Sequence, residues 1–158
     1  MADEKHSPGG AALTELVLEI FRLNGRLLAA GDKLVADVGL TSARWQVLGA
    51  IHYAAAPQTV SWLARSMGLT RQGVQRIVND LEGEGFVAFK ANPAHRRAHL
   101  VTLTRKGRAA YAAAERRQTP WINALAKGLD RTELERTLSL LGEIRGRLES
   151  AQGSDERP

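Results

Sequence analysis

Between Thr70 and Lys106 the spacing of apolar residues changes period, and this limits what the chain can fold into. Val74, Ile77, Val78 and Leu81 stand at i, i+3, i+4 and i+7, which gives one buried face of an α-helix. Gly83 and Gly85 close that pattern. Val87 with Phe89, and then Val101 with Leu103, alternate as strand residues do. Asn92-Pro93 starts the turn between them. The segment is predicted as an amphipathic helix followed by a two-stranded hairpin.

The residues before it extend the pattern. Thr59 caps a short helix in which Trp62, Leu63, Ala64 and Met67 are apolar, Gly68 permits a left-handed turn, and Thr70 caps the next helix. Helix, turn of about three residues, helix is the spacing of a helix-turn-helix. Leu13, Leu16, Val17, Ile20, Leu23, Leu27 and Leu28 predict a long first helix from residue 11 to about 36. Thr41 caps a second helix with Trp45, Leu48, Ile51 and His52 along one stripe. Thr104 caps a helix opening at Arg105, which Pro120 is expected to kink or break. Asp130-Arg131-Thr132-Glu133 resembles a capping box before a last helix bearing Leu134, Leu138, Leu141, Ile144 and Leu148.

The expected fold is mainly α with a small β-hairpin. It comprises a winged helix-turn-helix domain plus a helical dimerisation region built from the N- and C-terminal helices. The expected boundaries are a disordered tail at 1–10, an N-terminal dimerisation helix at 11–38, a DNA-binding lobe at 39–107, C-terminal dimerisation helices at 108–150 and a disordered tail at 151–158. The terminal leucine stripes fit either cover for the domain's own core or packing against a second subunit; symmetry favours the second for a DNA reader.

Composition narrows the function classes. The 158 residues include no cysteine, which excludes disulfides and thiolate metal sites. The four histidines are scattered without metal-ligand spacing, so no metal is expected. No nucleophile–base arrangement, phosphate loop or paired-carboxylate signature points to an enzyme or a cofactor. No apolar run reaches the ~18–20 residues of a membrane span, and the polar start lacks the layout of a signal peptide, so a cytoplasmic protein is expected. Net charge is +5, but Arg65 to Arg117 holds eleven Lys or Arg against four Asp or Glu, a net of +7 that leaves −2 elsewhere. Positive charge gathered on one segment suits a phosphate-neutralising surface, although a solvated basic face would look the same on charge alone.

With Val74, Ile77, Val78 and Leu81 inward, Arg71, Gln72, Gln75, Arg76 and Asn79 face outward. Arg can pair with guanine, and Gln with adenine, through two parallel hydrogen bonds in the major groove. Thr70 and the first-turn N–H groups suit a phosphate. Gly73, costly in a helix, is read as allowing close approach to DNA or to a neighbouring helix. The hairpin tip, Asn92-Pro93-Ala94-His95-Arg96-Arg97, offers an Arg pair. One Arg is expected in the minor groove while the other braces the loop or a phosphate. Lys90, Arg105, Lys106, Arg108 and Arg65 are read as phosphate contacts.

These residues carry a resemblance to the MarR family of winged-helix transcriptional regulators. The matching features are Leu40-Thr41 with Trp45-Gln46-Val47-Leu48, Leu63-Ala64, Leu81-Glu82 with Gly85-Phe86-Val87, Asn92-Pro93 with Arg96-Arg97, and Val101-Thr102-Leu103-Thr104 with Gly107. The similarity covers residues 13–148 in layout, with the specific motifs between 40 and 107. It implies a triangular homodimer whose terminal helices form a base, each chain offering a recognition helix and a wing to a pseudo-palindromic operator on double-stranded DNA. It also implies repression relieved by a small aromatic or anionic ligand. The ligand crevice would draw on Arg22, Arg26, Trp45 and His52, although Trp45 and His52 also read as ordinary packed residues. The family wing usually has Asp directly before the Arg pair, where this chain has His95. That departure implies a looser or pH-sensitive wing, or a histidine that meets a phosphate. The competing readings are a DNA-binding protein of this fold with no effector and a winged helix that binds protein instead.

Overall fold

The computed structural model describes residues 6–155 of the chain. Of the two expected tails, residues 1–5 and 156–158 lie outside the described residues. The first helix, α1, spans Pro8–Val35 and so begins inside the expected tail. Ser7 caps it, its Oγ accepting from Gly10 N at 3.1 Å, and Pro8 opens it at a position where the missing N–H is not needed. A 3-10 turn at Ala36–Val38 leads to α2 at Ser42–Tyr53. β1 is Gln58–Thr59, α3 is Val60–Met67 and α4 is Arg71–Gly83. The hairpin strands are β2, Val87–Lys90, and β3, Leu100–Leu103. Helices α5, Arg105–Ala126, and α6, Arg131–Asp155, complete the order.

The expected caps are made. Thr41, Thr59 and Thr70 accept from Arg44 N, Trp62 N and Gly73 N at 3.3, 3.3 and 3.1 Å. Thr104 Oγ1 accepts from Gly107 N at 3.0 Å. Asp130 Oδ1 accepts from Glu133 N at 2.9 Å, but Glu133 pairs with Arg136 instead of reaching back, so only half of the expected capping box forms. Gly68 adopts φ +65°, and the Leu69 N–H closes on the Ala64 carbonyl at 2.9 Å, which ends α3 tightly enough to launch α4 after one turn.

The sheet has three antiparallel strands in the order β1-β3-β2, one more than the hairpin expected from sequence. β1 pairs Gln58 with Val101 and Thr59 with Leu100; two residues are too few to show alternation. β2 pairs Val87 with Leu103 and Lys90 with Leu100.

The chain divides into two compact units at the Thr119–Pro120 step. α5 runs through Pro120, so of the kink or break expected there the break does not occur. Proline removes one N–H from the ladder but leaves the turns on either side intact, and Thr119 Oγ1 donates to the Glu115 carbonyl at 3.0 Å. In the first unit, Leu48, Leu63, Val74, Val78 and Leu81 are fully buried, with Val35, Val47 and Val101 beside them. Each such side chain contributes roughly 1.5–3 kcal/mol of burial. Tyr111 of α5 joins this core, tilted against His52 with ring centroids 4.7 Å apart. Burial, reinforced by Tyr53 and Glu115, pushes its hydroxyl pKa well above the usual tyrosine value.

The second unit holds the rest of α5 and α6. Among the described residues none of α6 is buried, and Leu134, Leu138, Leu140 and Leu148 are exposed. Ion pairs such as Arg131–Glu135 and Arg147–Glu143 line its turns. The helix runs past residue 150, and Gly142, Gly146 and Gly153, each costing about 1 kcal/mol against Ala, do not end it. α1 is similar: only Gly31 and Val35 are buried, while Leu13, Leu18, Phe21, Leu23 and Leu27 are open.

Candidate nucleic-acid interface

The recognition surface follows from which face of α4 the core takes. Val74, Val78 and Leu81 point into the core, with Ile77 half-buried beside them. Arg71, Gln72, Arg76 and Asn79 are exposed and Gln75 is half-buried; with Asp80 they line one open surface groove. Gln75 Nε2 donates to Asn79 Oδ1 at 2.8 Å, so the two amides form a unit on that face. Thr70 spends an acceptor on its cap and keeps its hydroxyl proton. A Cβ at Gly73 would meet only Thr70 Oγ1, at 3.0 Å, and no neighbouring helix. The reading of Gly73 as a helix–helix contact is thereby corrected; the site is open to solvent.

The wing loop is held by Asn92. Its Nδ2 donates to the Ala98 carbonyl at 2.9 Å, and its Oδ1 accepts from Ala94 N at 3.0 Å. Backbone bonds from His95 N to Asn92 O and from Ala98 N to His95 O close the loop at 3.2 and 3.1 Å. Asn92 thus ties the two ends of the loop together. His95, Arg96 and Arg97 are exposed. Among the described residues neither Arg bonds to the loop, which leaves the phosphate as the expected partner of the bracing Arg. Arg97 instead lines a cleft of about 240 Å³ with Arg71, Gln75, Asn79, Ser61 and His99.

The cations sort into two kinds. In α6, Arg131, Arg136, Arg145 and Arg147 are all paired with glutamates. Among the described residues, Arg65, Arg71, Arg76, Lys90, Arg96 and Arg97 make no ion pair. Two expected phosphate contacts are otherwise engaged. Lys106 Nζ donates to the Glu84 carbonyl at 2.6 Å and lies 4.2 Å from the centre of the Phe86 ring, and Arg108 Nη1 donates to the Leu103 carbonyl at 2.7 Å. Both stitch α5 to the end of α4 and to β3, because the chain folds back there and leaves open carbonyls. Arg44, which sequence reasoning passed over, pairs with Glu84 at 2.7 Å and ties α2 to the end of α4.

Of the four expected ligand residues, His52 lines a groove and the other three lie apart from that groove. Arg22 is exposed and pairs with Glu19 at 3.1 Å, and Arg26 is exposed. Trp45 packs against the core. His52 lines a groove of about 360 Å³ with Lys90, Arg108 and the 54–57 loop, and that groove includes none of the other three. Helical drift puts Arg22 and Arg26 on the open side of α1. Among the described residues, no three His, Asp or Glu side chains cluster as metal ligands, and no helix is long and apolar enough to cross a membrane.

Short helix, tight turn, polar helix and hairpin define a winged helix-turn-helix protein. A family model described as the MarR family matches residues 38–98. The uncharacterized protein Rv2011c of Mycobacterium tuberculosis is 39% identical over 125 residues, 79% of this chain and 86% of its own length. The transcriptional activatory protein BadR of Rhodopseudomonas palustris is 33% identical over 95 residues, 59% of this chain and 54% of its own. The transcriptional repressor CouR bound to a 23-mer DNA duplex superposes with a TM-score of 0.73 at 29% identity, covering 89% of this chain and 99% of CouR. CouR of Rhodococcus jostii bound to p-coumaroyl-CoA gives 0.73 at 25% identity, over 82% and 90%. The chain belongs to the MarR family of transcriptional regulators.

Proposed function

We propose that this protein is a cytoplasmic homodimer that binds a pseudo-palindromic operator in double-stranded DNA and represses transcription. One observation carries the reading: Arg71, Gln72, Gln75, Arg76 and Asn79 share the solvent face of α4, and among the described residues neither arginine makes an ion pair. α4 enters the major groove and Arg97 or Arg96 reaches the adjacent minor groove. Thr70, Arg65, Lys90 and His95 contact the backbone. The open apolar faces of α1 and α6 are the surfaces a second copy covers. CouR, bound to duplex DNA and described as a repressor, supports this direction of control over most of the chain length.

A small aromatic or anionic effector releases the DNA by changing the spacing of the two recognition helices, set near one helical turn of about 34–36 Å. The CouR complex with p-coumaroyl-CoA supports an effector, and the groove joining His52, Lys90 and Arg108 supplies apolar walls with cationic groups. The test is a titration of labelled duplexes bearing inverted repeats selected from the source genome, with sedimentation of the free protein. A dimer should bind its operator in preference to a scrambled duplex, with log Kd depending steeply on log salt. A monomer with no duplex preference would overturn the reading.

A further inference from the structure

A helix in a major groove and a wing in the adjacent minor groove straddle one DNA strand, so the space between them must take a sugar-phosphate backbone. In this chain that space is the 240 Å³ cleft between α4 and the wing. Its charged wall groups are Arg71 from α4 and Arg97 from the wing, and no carboxylate lines it. α3 presents Ser61, and β2 presents the Phe89 ring. His99 stands at the rim, its ring centroid 6.1 Å from that of Phe89 and tilted by 55°. The imidazole has no hydrogen-bond or ion-pair partner among the described residues, and it is exposed. A phosphodiester seated here meets two fixed cations and one imidazole, a group that can take up a proton.

We propose that His99 makes operator binding proton-linked: the strand between the two grooves seats in this cleft, and the His99 ring takes a proton from solvent as it does so. The proposal rests on the DNA-binding reading above and adds to it a named phosphate seat and a dependence on pH. Each half-site takes up at most one proton through His99. The other wing histidine, His95, lies on the loop and does not line the cleft.

The experiment measures operator Kd by fluorescence anisotropy from pH 5.5 to 8.5 at fixed ionic strength, for the native dimer, His99→Gln and His99→Arg. Native protein should bind roughly tenfold more weakly at pH 8 than at pH 6. His99→Gln should bind weakly with most of that dependence gone, and His99→Arg tightly and with the same flattening. Calorimetry in buffers of different ionisation enthalpy should show proton uptake that disappears in both His99 variants. A native Kd that does not vary with pH, or a slope that survives in His99→Gln, overturns the proposal and leaves the DNA-binding reading standing. Absence of operator binding at every pH brings down that reading itself. Thermal melting of the variants separates loss of fold from loss of the proton.

Discussion

The Gly107 Cα sits directly against the Phe86 carbonyl: a Cβ added at residue 107 would fall 1.9 Å from that oxygen. The same oxygen accepts from Thr104 N at 3.0 Å and from Thr104 Oγ1 at 3.1 Å, so it cannot move aside without breaking the start of α5. This is where the hairpin leaves the lobe and α5 begins. Gly107→Ala is therefore expected to cost about 3 kcal/mol, at the upper end for overpacking, because the clash is with backbone. Chemical denaturation would read the loss. A variant as stable as the native chain would show that the junction relaxes freely.

A second junction answers to acid. Arg117 of α5 donates to Asp37 Oδ2 through Nη2 at 2.5 Å and Nε at 3.2 Å. The hydrogen bond from Arg117 holds the Asp37 carboxyl below its ordinary value of 3.8. A lowered folded-state pKa contributes stability above the unfolded value and loses it as pH falls through the folded one. The pair is open to solvent, so the effect is small. Melting temperature followed from pH 6 down to pH 2 should fall less steeply for Asp37→Asn than for the native chain below about pH 4. Parallel acid arms would assign the acid sensitivity elsewhere.

Much of the lobe was legible because its signals are local. The Val74–Leu81 period, the threonine caps and Gly68 each act within one or two turns, and each does in the structure what its chemistry suggests. The terminal helices were legible as amphipathic but not in their limits: the Ser7 cap before Pro8 is a two-residue signal in a polar tail. Pro120 misleads because one missing N–H does not end a helix whose neighbouring turns hold. The solvent face of α4 was readable from that helix alone. The engagement of Lys106 and Arg108 was not, since their acceptors, the Glu84 and Leu103 carbonyls, are set by how the chain folds back. For the same reason the sequence could not say which residues share the His52 groove, since only three-dimensional placement decides that.

The wing supplies a prediction that separates order from charge. Asn92 clamps the loop through the Ala98 carbonyl and Ala94 N without being a cation. Asn92→Ala should leave melting nearly unchanged, because the loop is exposed and outside the core. It should weaken operator binding by about 1 kcal/mol, roughly fivefold in Kd, by making the complex order Arg96 and Arg97 at its own cost. The salt dependence should stay native, since no charge is removed. A reduced salt slope would mean that the substitution had instead displaced a cation from its phosphate.

Sequence choice should fall to α4 and affinity to the lone cations around it. Arg65→Ala should weaken binding to operator and scrambled duplex alike, and should lower the salt slope by about 0.9 for each phosphate left without its cation. Arg76→Ala should act at one base pair, costing about 1–3 kcal/mol there and little elsewhere. The Gln75–Asn79 hydrogen bond bears on a second base pair. Adenine readout by glutamine needs its oxygen to accept from the base and one amide proton to be donated back. Asn79 engages the other amide proton at 2.8 Å and so fixes the plane in which Gln75 is offered. Asn79→Ala should thus relax discrimination at the base pair read by Gln75 while leaving the remaining positions of a randomised half-site unchanged. Loss of preference spread across the whole half-site would show that Asn79 supports the orientation of the helix and not that of one amide.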